Sequence, residues 1–380
     1  MMRLIIRACC FFAARLSAKR FACAAGTASS HPTGNRSNLI YTAAHLGHRP
    51  DSFRVLRVIP RIITLGGAGL RSCPAAYAMK IVLAGATGFL GRPLTEALAA
   101  DGHELVGLTR KPRSGGGFRE VAWQPDGTAG PWAAEIDGAD VVVNLAGESI
   151  AGGRWTAGRK RALRDSRLRS TASLVAAIDR AARRPALLLS SSAVGYYGPR
   201  GDERVDETTP PGDDFLSRLS VEWEHAAQAA AGRGTRVVRL RTGLVLERDG
   251  GALAAMLTPF KLGVGGPLGT GRQYWPWIHR HDWIALVRFL IARPDAEGPV
   301  NATAPEPVTN REFSKTLARV LGRPSLFTAP ALALRLAMGE MADGLLLKGQ
   351  RVVPARAVEM GFEFRYRELE PALREILGQT

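Results

Sequence analysis

Cysteine is absent from residues 79–380. The four cysteines of this 380-residue chain, Cys9, Cys10, Cys23 and Cys73, all precede Met79. That excludes from the larger part a disulfide framework, a thiolate nucleophile and any cysteine-based metal site, and it accords with a reducing compartment such as the cytoplasm. Acids are nearly missing from the first 78 positions, where Asp51 stands alone against eleven Lys and Arg. Long apolar runs are missing too. The early ones, residues 4–6 and 9–14, are cut by Arg7 and Arg15 and are far too short to span a bilayer. The formal charge is +17, yet no helix-turn-helix pattern, zinc spacing or aromatic-interleaved basic stripe accompanies it. The charge therefore reads as solvated basic surface, with no nucleic-acid partner.

Three readings stay open for residues 1–78. The Arg, Ala and Ser content suits a mitochondrial or plastid transit peptide. It also suits a start codon set too far upstream in a GC-rich genome, with Met79 beginning the functional protein, or an unfolded tail. None of them gives the segment a fold.

From residue 79 onward, apolar runs and helical spacings alternate. Strands are expected over residues 80–84, 104–108, 140–145, 186–190 and 236–240, and helices over 89–100, 159–182 and 213–232. This rhythm predicts an α/β fold, a doubly wound parallel sheet with helices on both faces, placing its ligand at the carboxyl ends of the strands. After about residue 250 the rhythm changes. Helices are expected at 282–292, 310–321 and 332–341, in a small C-terminal lobe. The division reads as a leader over 1–78, a nucleotide-binding domain over 79–300 and the lobe over 301–380.

The turn Gly85-Ala86-Thr87-Gly88-Phe89-Leu90-Gly91 follows the first strand and opens a helix. In that context its spacing suits a pyrophosphate. Gly85 permits the sharp turn, Gly88 opens the approach to backbone N–H groups and Gly91 allows close helix–strand packing. The second strand ends Thr109-Arg110-Lys111, with no acid to bind ribose hydroxyls. A guanidinium there suits a 2′-phosphate, so the expected cofactor is NADP(H). Leu145, Ala146 and Gly147 close a strand beside the same cleft, and Arg167 adds a cation near it. His279 and Asp282 are spaced for a charge-assisted pair, with too few further ligands for a metal. Trp275, Trp277 and Trp283 suit either a pocket wall or the filling of a lobe.

On these residues the chain resembles the short-chain dehydrogenase/reductase superfamily, in its extended and atypical branches. The carriers are GATGFLG at 85–91, NLAGE at 144–148, SSSAVGYYG at 190–198 and WPWIHRHDW at 275–283. GGRWTAGRKRALRDSR at 152–167 and LLLKGQRVVPARAVEMGFEF at 345–364 narrow the likeness to an epimerase-like group with a C-terminal domain of unknown function, from about residue 325. The resemblance implies a Rossmann fold and an NADP-dependent oxidoreductase or epimerase acting on a small molecule. It implies cofactor contacts at the glycine turn, Thr109, Arg110, Leu145 to Gly147, Arg167 and Val245. It also places Ser192 at the serine that orients the substrate oxygen. The group's Tyr-x-x-x-Lys pair is absent. Arg200, Gly201, Ile278 and Glu370 stand four residues after Tyr196, Tyr197, Tyr274 and Tyr366, and the stretch where the pair should fall has Phe215 and Leu219. Tyr197 is then the remaining candidate acid, and a non-catalytic NADP(H)-binding sensor or scaffold is the alternative.

Overall fold

A computed structural model describes residues 78–113 and 117–379. The readings of the leader lie outside these residues. Seven strands form the main sheet: β1 (Lys80–Ala84), β2 (Glu104–Thr109), β3 (Arg119–Ala122), β4 (Val141–Asn144), β5 (Leu187–Ala193), β7 (Arg236–Thr242) and β11 (Gly298–Ala302). The order across the sheet is β11-β7-β5-β4-β1-β2-β3, and every neighbouring pair is parallel. Parallel strands joined through helices bury both faces, which is why β1, β4 and β5 read as near-continuous apolar runs. Ile81, Leu83, Val143, Leu187 and Leu189 pack on one face. Val82, Val106, Val142 and Leu188 pack on the other.

Successive strands run outward from β1 in one direction and from β4 in the other. The crevice therefore opens between β1 and β4, at their carboxyl ends. The expected helix at residue 89 begins two residues later, as Gly91–Ala100, because residues 88–90 complete the turn. The strand expected over 186–190 continues to Ala193, since its serines pair with the neighbouring β7. Sequence spacing missed β3, β11 and the Gly251–Lys261 helix, which carries Pro259. Because β11 runs through residue 300, the edge of the sheet extends to Ala302.

The C-terminal lobe is sewn to the sheet rather than appended. β6 (Arg204–Val205), in the loop after β5, pairs with β13 (Arg351–Val352) near the chain's end. β8 (Leu244–Leu246) pairs with β10 (Trp277–His279), and β9 (Tyr274–Trp275) with β12 (Val308–Thr309). Trp277 and Trp283 are fully buried and Trp275 nearly so; Trp275 and Trp277 pack in one core cluster and Trp283 in another.

The expected His279–Asp282 pair does not form. His279 Nε2 lies 2.8 Å from Glu375, and its Nδ1 accepts the His281 N–H at the start of the Arg280–Ala292 helix. Its ring stacks on Tyr366 at 4.0 Å. Asp282 instead accepts the backbone N–H groups of Arg365 and Tyr366. The tryptophan-histidine block is thus the anchor of the last helix, Leu369–Leu377.

Burial pushes the His279 pKa below its ordinary 6.5. The folded form keeps the ring neutral, while the unfolded chain takes up a proton below about 6.5. Stability is therefore present above that pH and is lost as pH falls toward the depressed folded value. Thermal melts should show a drop between pH 7.5 and pH 5.5 that is visibly smaller in His279→Gln. Equal pH slopes in the two proteins would refute this assignment.

Candidate functional site

The floor of the crevice is the glycine turn. Gly85 sits at φ +86°, and a Cβ there would stand 2.9 Å from the Leu145 carbonyl carbon. A Cβ on Gly91 would lie 2.1 Å from the Gly85 carbonyl oxygen. Both glycines are therefore demanded by the backbone itself. Gly88 differs: its nearest contact would be 3.3 Å, and it faces solvent with Thr87. Its missing side chain leaves open space above the turn. The Leu145 N–H donates to Ala84 at 2.8 Å, which ties the β4 end to the turn.

Above this floor stand cations. Arg110 is exposed at the end of β2, beside β1. Among the described residues no carboxylate pairs with it, and Thr109 Oγ1 accepts the Lys111 N–H. Arg167 lies across the crevice, with its side chain 3.4 Å from the Cβ position of Gly147. Its guanidinium donates to the carbonyls of Leu163 and Glu148, both at 3.0 Å. No carboxylate pairs with it among the described residues, and burial lowers its pKa to about 10. Glu148 is already held by Arg159. The crevice thus offers positive charge to an incoming anion.

The fold brings together the turn from Gly85 to Gly91, Thr109, Arg110, the Leu145–Ala146–Gly147 stretch and Arg167. Other candidates stand apart. The Phe89 ring turns away to pack on Gly250 and Gly251, 2.6 Å and 3.2 Å from their Cβ positions, with Arg280 over it. Leu90 caps the helix. Val245 is buried in the core, paired with Ile278. The Gly250-Gly251 pair was missed by sequence reasoning, although adjacent glycines before a helical run were a visible signal.

Ser192 and Tyr197 are both buried and bonded to neighbours. Ser192 is 4% exposed, and its hydroxyl donates to Glu224 at 2.7 Å. Glu224 also takes two hydrogen bonds from Arg241, at 2.7 Å and 2.9 Å. Tyr197 is fully buried. Its hydroxyl donates to Asn301 at 2.7 Å and accepts from Arg241 at 2.9 Å. Burial pushes its pKa up to about 12. The expected proton donor is therefore a core residue with both hydrogen-bonding positions in use. Phe215, where the absent tyrosine was sought, meets Trp155 edge-on at 5.2 Å, and Leu219 is buried. The Trp155 region in turn packs on Leu334, Met338 and Met341 of the C-terminal lobe.

The family model described as the NAD dependent epimerase/dehydratase family matches residues 81–302, and one described as a domain of unknown function, DUF1731, matches residues 329–376. The chain is 42% identical over 294 residues to an epimerase family protein of Mycobacterium tuberculosis, covering 77% of this chain and 96% of that protein. It is 38% identical over 329 residues to the Arabidopsis thaliana protein named epimerase family protein SDR39U1 homolog, chloroplastic, covering 84% and 94%. Among solved structures, human epimerase family protein SDR39U1 (isoform 2) with NADPH superposes with a TM-score of 0.73 at 37% identity, over 80% of this chain and all of that one.

If Tyr197 is structural, Tyr197→Phe leaves Asn301 and Arg241 each short of a buried partner. The loss should be about 1–3 kcal/mol in urea denaturation. A removed acid at an open site would leave stability unchanged, and that result would return Tyr197 to the list of candidate donors.

Proposed function

The chain belongs to the NAD-dependent epimerase/dehydratase family, and we propose that it holds NADP(H) in the crevice above Gly85 and works on a small molecule as an oxidoreductase or epimerase. The observation that carries the cofactor reading is a backbone cradle faced by Arg110 and Arg167, which have no carboxylate partner among the described residues. The residues fit the group: Gly85 and Gly91 fix the turn, and the open face at Gly88 admits a pyrophosphate. Thr109 and Arg110 hold the 2′-phosphate. Leu145, Ala146 and Gly147 wall the adenosine side, and Arg167 supplies charge opposite the turn. Thr87 lies on the turn's exposed rim. Phe89 and Leu90 hold the turn against its neighbours, and Val245 contributes backbone only. NADPH in the human relative's structure supports this reading. When bound, the nicotinamide supplies or accepts a hydride.

A second reading is favoured by one observation, the burial of Tyr197 with both its hydrogen-bonding positions filled. It takes the chain as an NADP(H)-binding sensor or scaffold without turnover. Under the enzymatic reading, Ser192 must give up its bond to Glu224 to meet a substrate oxygen. Screening carbonyl compounds for NADPH oxidation with wild type and Ser192→Ala separates the two. Turnover lost in the variant supports chemistry at Ser192. Tight NADPH binding with no turnover supports the second reading.

The place of action follows the leader. A cytoplasmic site goes with a start at Met79. A plastid site is supported by the acid-poor leader and by the chloroplastic Arabidopsis relative.

Calorimetry should give NADPH roughly tenfold or more tighter binding than NADH, the worth of one charge-assisted contact of ~1.5–3 kcal/mol. Arg110→Ala should erase the preference; equal affinities in wild type would refute the 2′-phosphate assignment. Gly88→Ala should keep its melting temperature yet lose cofactor affinity. Gly91→Ala should lose the fold by about 3 kcal/mol or more, because its Cβ meets backbone. If Gly88→Ala binds as wild type does, the pyrophosphate does not sit over this turn.

A further inference from the structure

A cavity of about 300 Å³ opens at the opposite edge of the sheet, where β7 and β11 begin. It is lined by Arg236, Arg239, Gln228, Glu297, Gly298 and Arg356, among others. The guanidiniums of two of its arginines have no carboxylate within hydrogen-bond distance among the described residues. Arg239 has a buried Nε with no hydrogen-bond partner among the described residues. The nearest carboxylate oxygen, on Glu224, is 3.7 Å away and is already bonded to Arg241. Arg356 donates to the Pro299 carbonyl at 2.9 Å, and no ion pair holds it among the described residues. Arg236 plays no such part, because its guanidinium is spent on the carbonyls of Leu290, Ile291 and Ala296.

Gly298 stands between these two arginines. A Cβ on it would be 2.8 Å from Arg356 and 3.7 Å from Arg239. With no side chain there, and with φ at +77°, the space between the guanidiniums stays clear. Two cations held this close, with one donor unsatisfied, are complemented by an anion of double charge. A phosphate dianion offers tetrahedral oxygens to donors on two sides, whereas a planar carboxylate serves one guanidinium fork at a time. At ~30 Å³ per water the cavity holds about ten waters, so there is room for an organic part beyond the phosphate. We propose that this cavity is a second ligand site, which binds the phosphate of a small phosphate monoester between Arg239 and Arg356. The site also has a line to the crevice, because Glu224 lies between Arg239 and the Ser192–Arg241 pair.

This inference does not rest on the cofactor reading. The test is calorimetric titration of the full chain with inorganic phosphate and with glycerol 3-phosphate. Sodium acetate and sodium chloride at matched ionic strength serve as controls. Wild type should bind glycerol 3-phosphate saturably at one site, more tightly than inorganic phosphate. Arg356→Gln should weaken both at least tenfold, Arg356→Lys should weaken them less, and Arg323→Ala, at an exposed arginine away from the cavity, should leave them unchanged. Should Arg356→Gln fail to fold, Arg356→Lys against Arg323→Ala decides the question. Three results would overturn the site: no saturable binding, binding lost in Arg110→Ala but kept in the Arg356 variants, or acetate binding as tightly as phosphate.

Discussion

The buried bond between Arg241 and Glu224 is the constraint on which the rest of this fold turns. Both side chains are almost wholly removed from water, and a charge so placed is tolerated only when its hydrogen-bonding capacity is met. The structure meets it by recruiting partners from distant parts of the chain. Ser192 comes from β5, Tyr197 from the loop beyond it and Asn301 from the edge strand β11. Asn301 in turn donates to the Val353 carbonyl, and Glu207 accepts its N–H. One ion pair thereby specifies how three strands, one helix and the C-terminal segment meet. Removing either charge would strand the other in the core.

The same network holds the hydroxyls that the resemblance singled out. Where the group places a tyrosine and a lysine, this chain has Phe215 and Leu219, and Phe215 packs against Trp155. The remaining hydroxyls near the strand end serve the Arg241 network instead. The crevice keeps a glycine floor and cations with no carboxylate partner among the described residues, while Ser192 and Tyr197 are bonded into the core.

The sheet and the glycine turn were legible in the sequence because their signals are local. An apolar run, a glycine spacing and a helix start lie within fifteen residues of one another around Gly85. The absence of an acid after β2 was equally readable. The roles of Ser192, Tyr197 and His279 were not. Ser192 stands 32 residues from Glu224, Tyr197 stands 104 from Asn301 and His279 stands 96 from Glu375. A single sequence shows a hydroxyl or an imidazole without showing which distant group it will meet. The edge strand β11 was missed for a related reason. Gly298 and Pro299 open it, and both weaken a strand pattern that pairing with β7 then overrides.

The pairing of β6 with β13 bears on how the protein is made. The chain emerges from the ribosome amino end first, and domains generally fold in that order. Here Val205, Glu207 and Asn301 leave the ribosome long before Val352, Val353 and Arg356, the groups that cover and bond them. Until those residues arrive, the nascent sheet carries an uncovered tyrosine cluster and polar groups with no partners, at the edge where stray chains add. A chain broken off before Arg351 would be not a protein lacking a lobe but an open sheet awaiting its clasp.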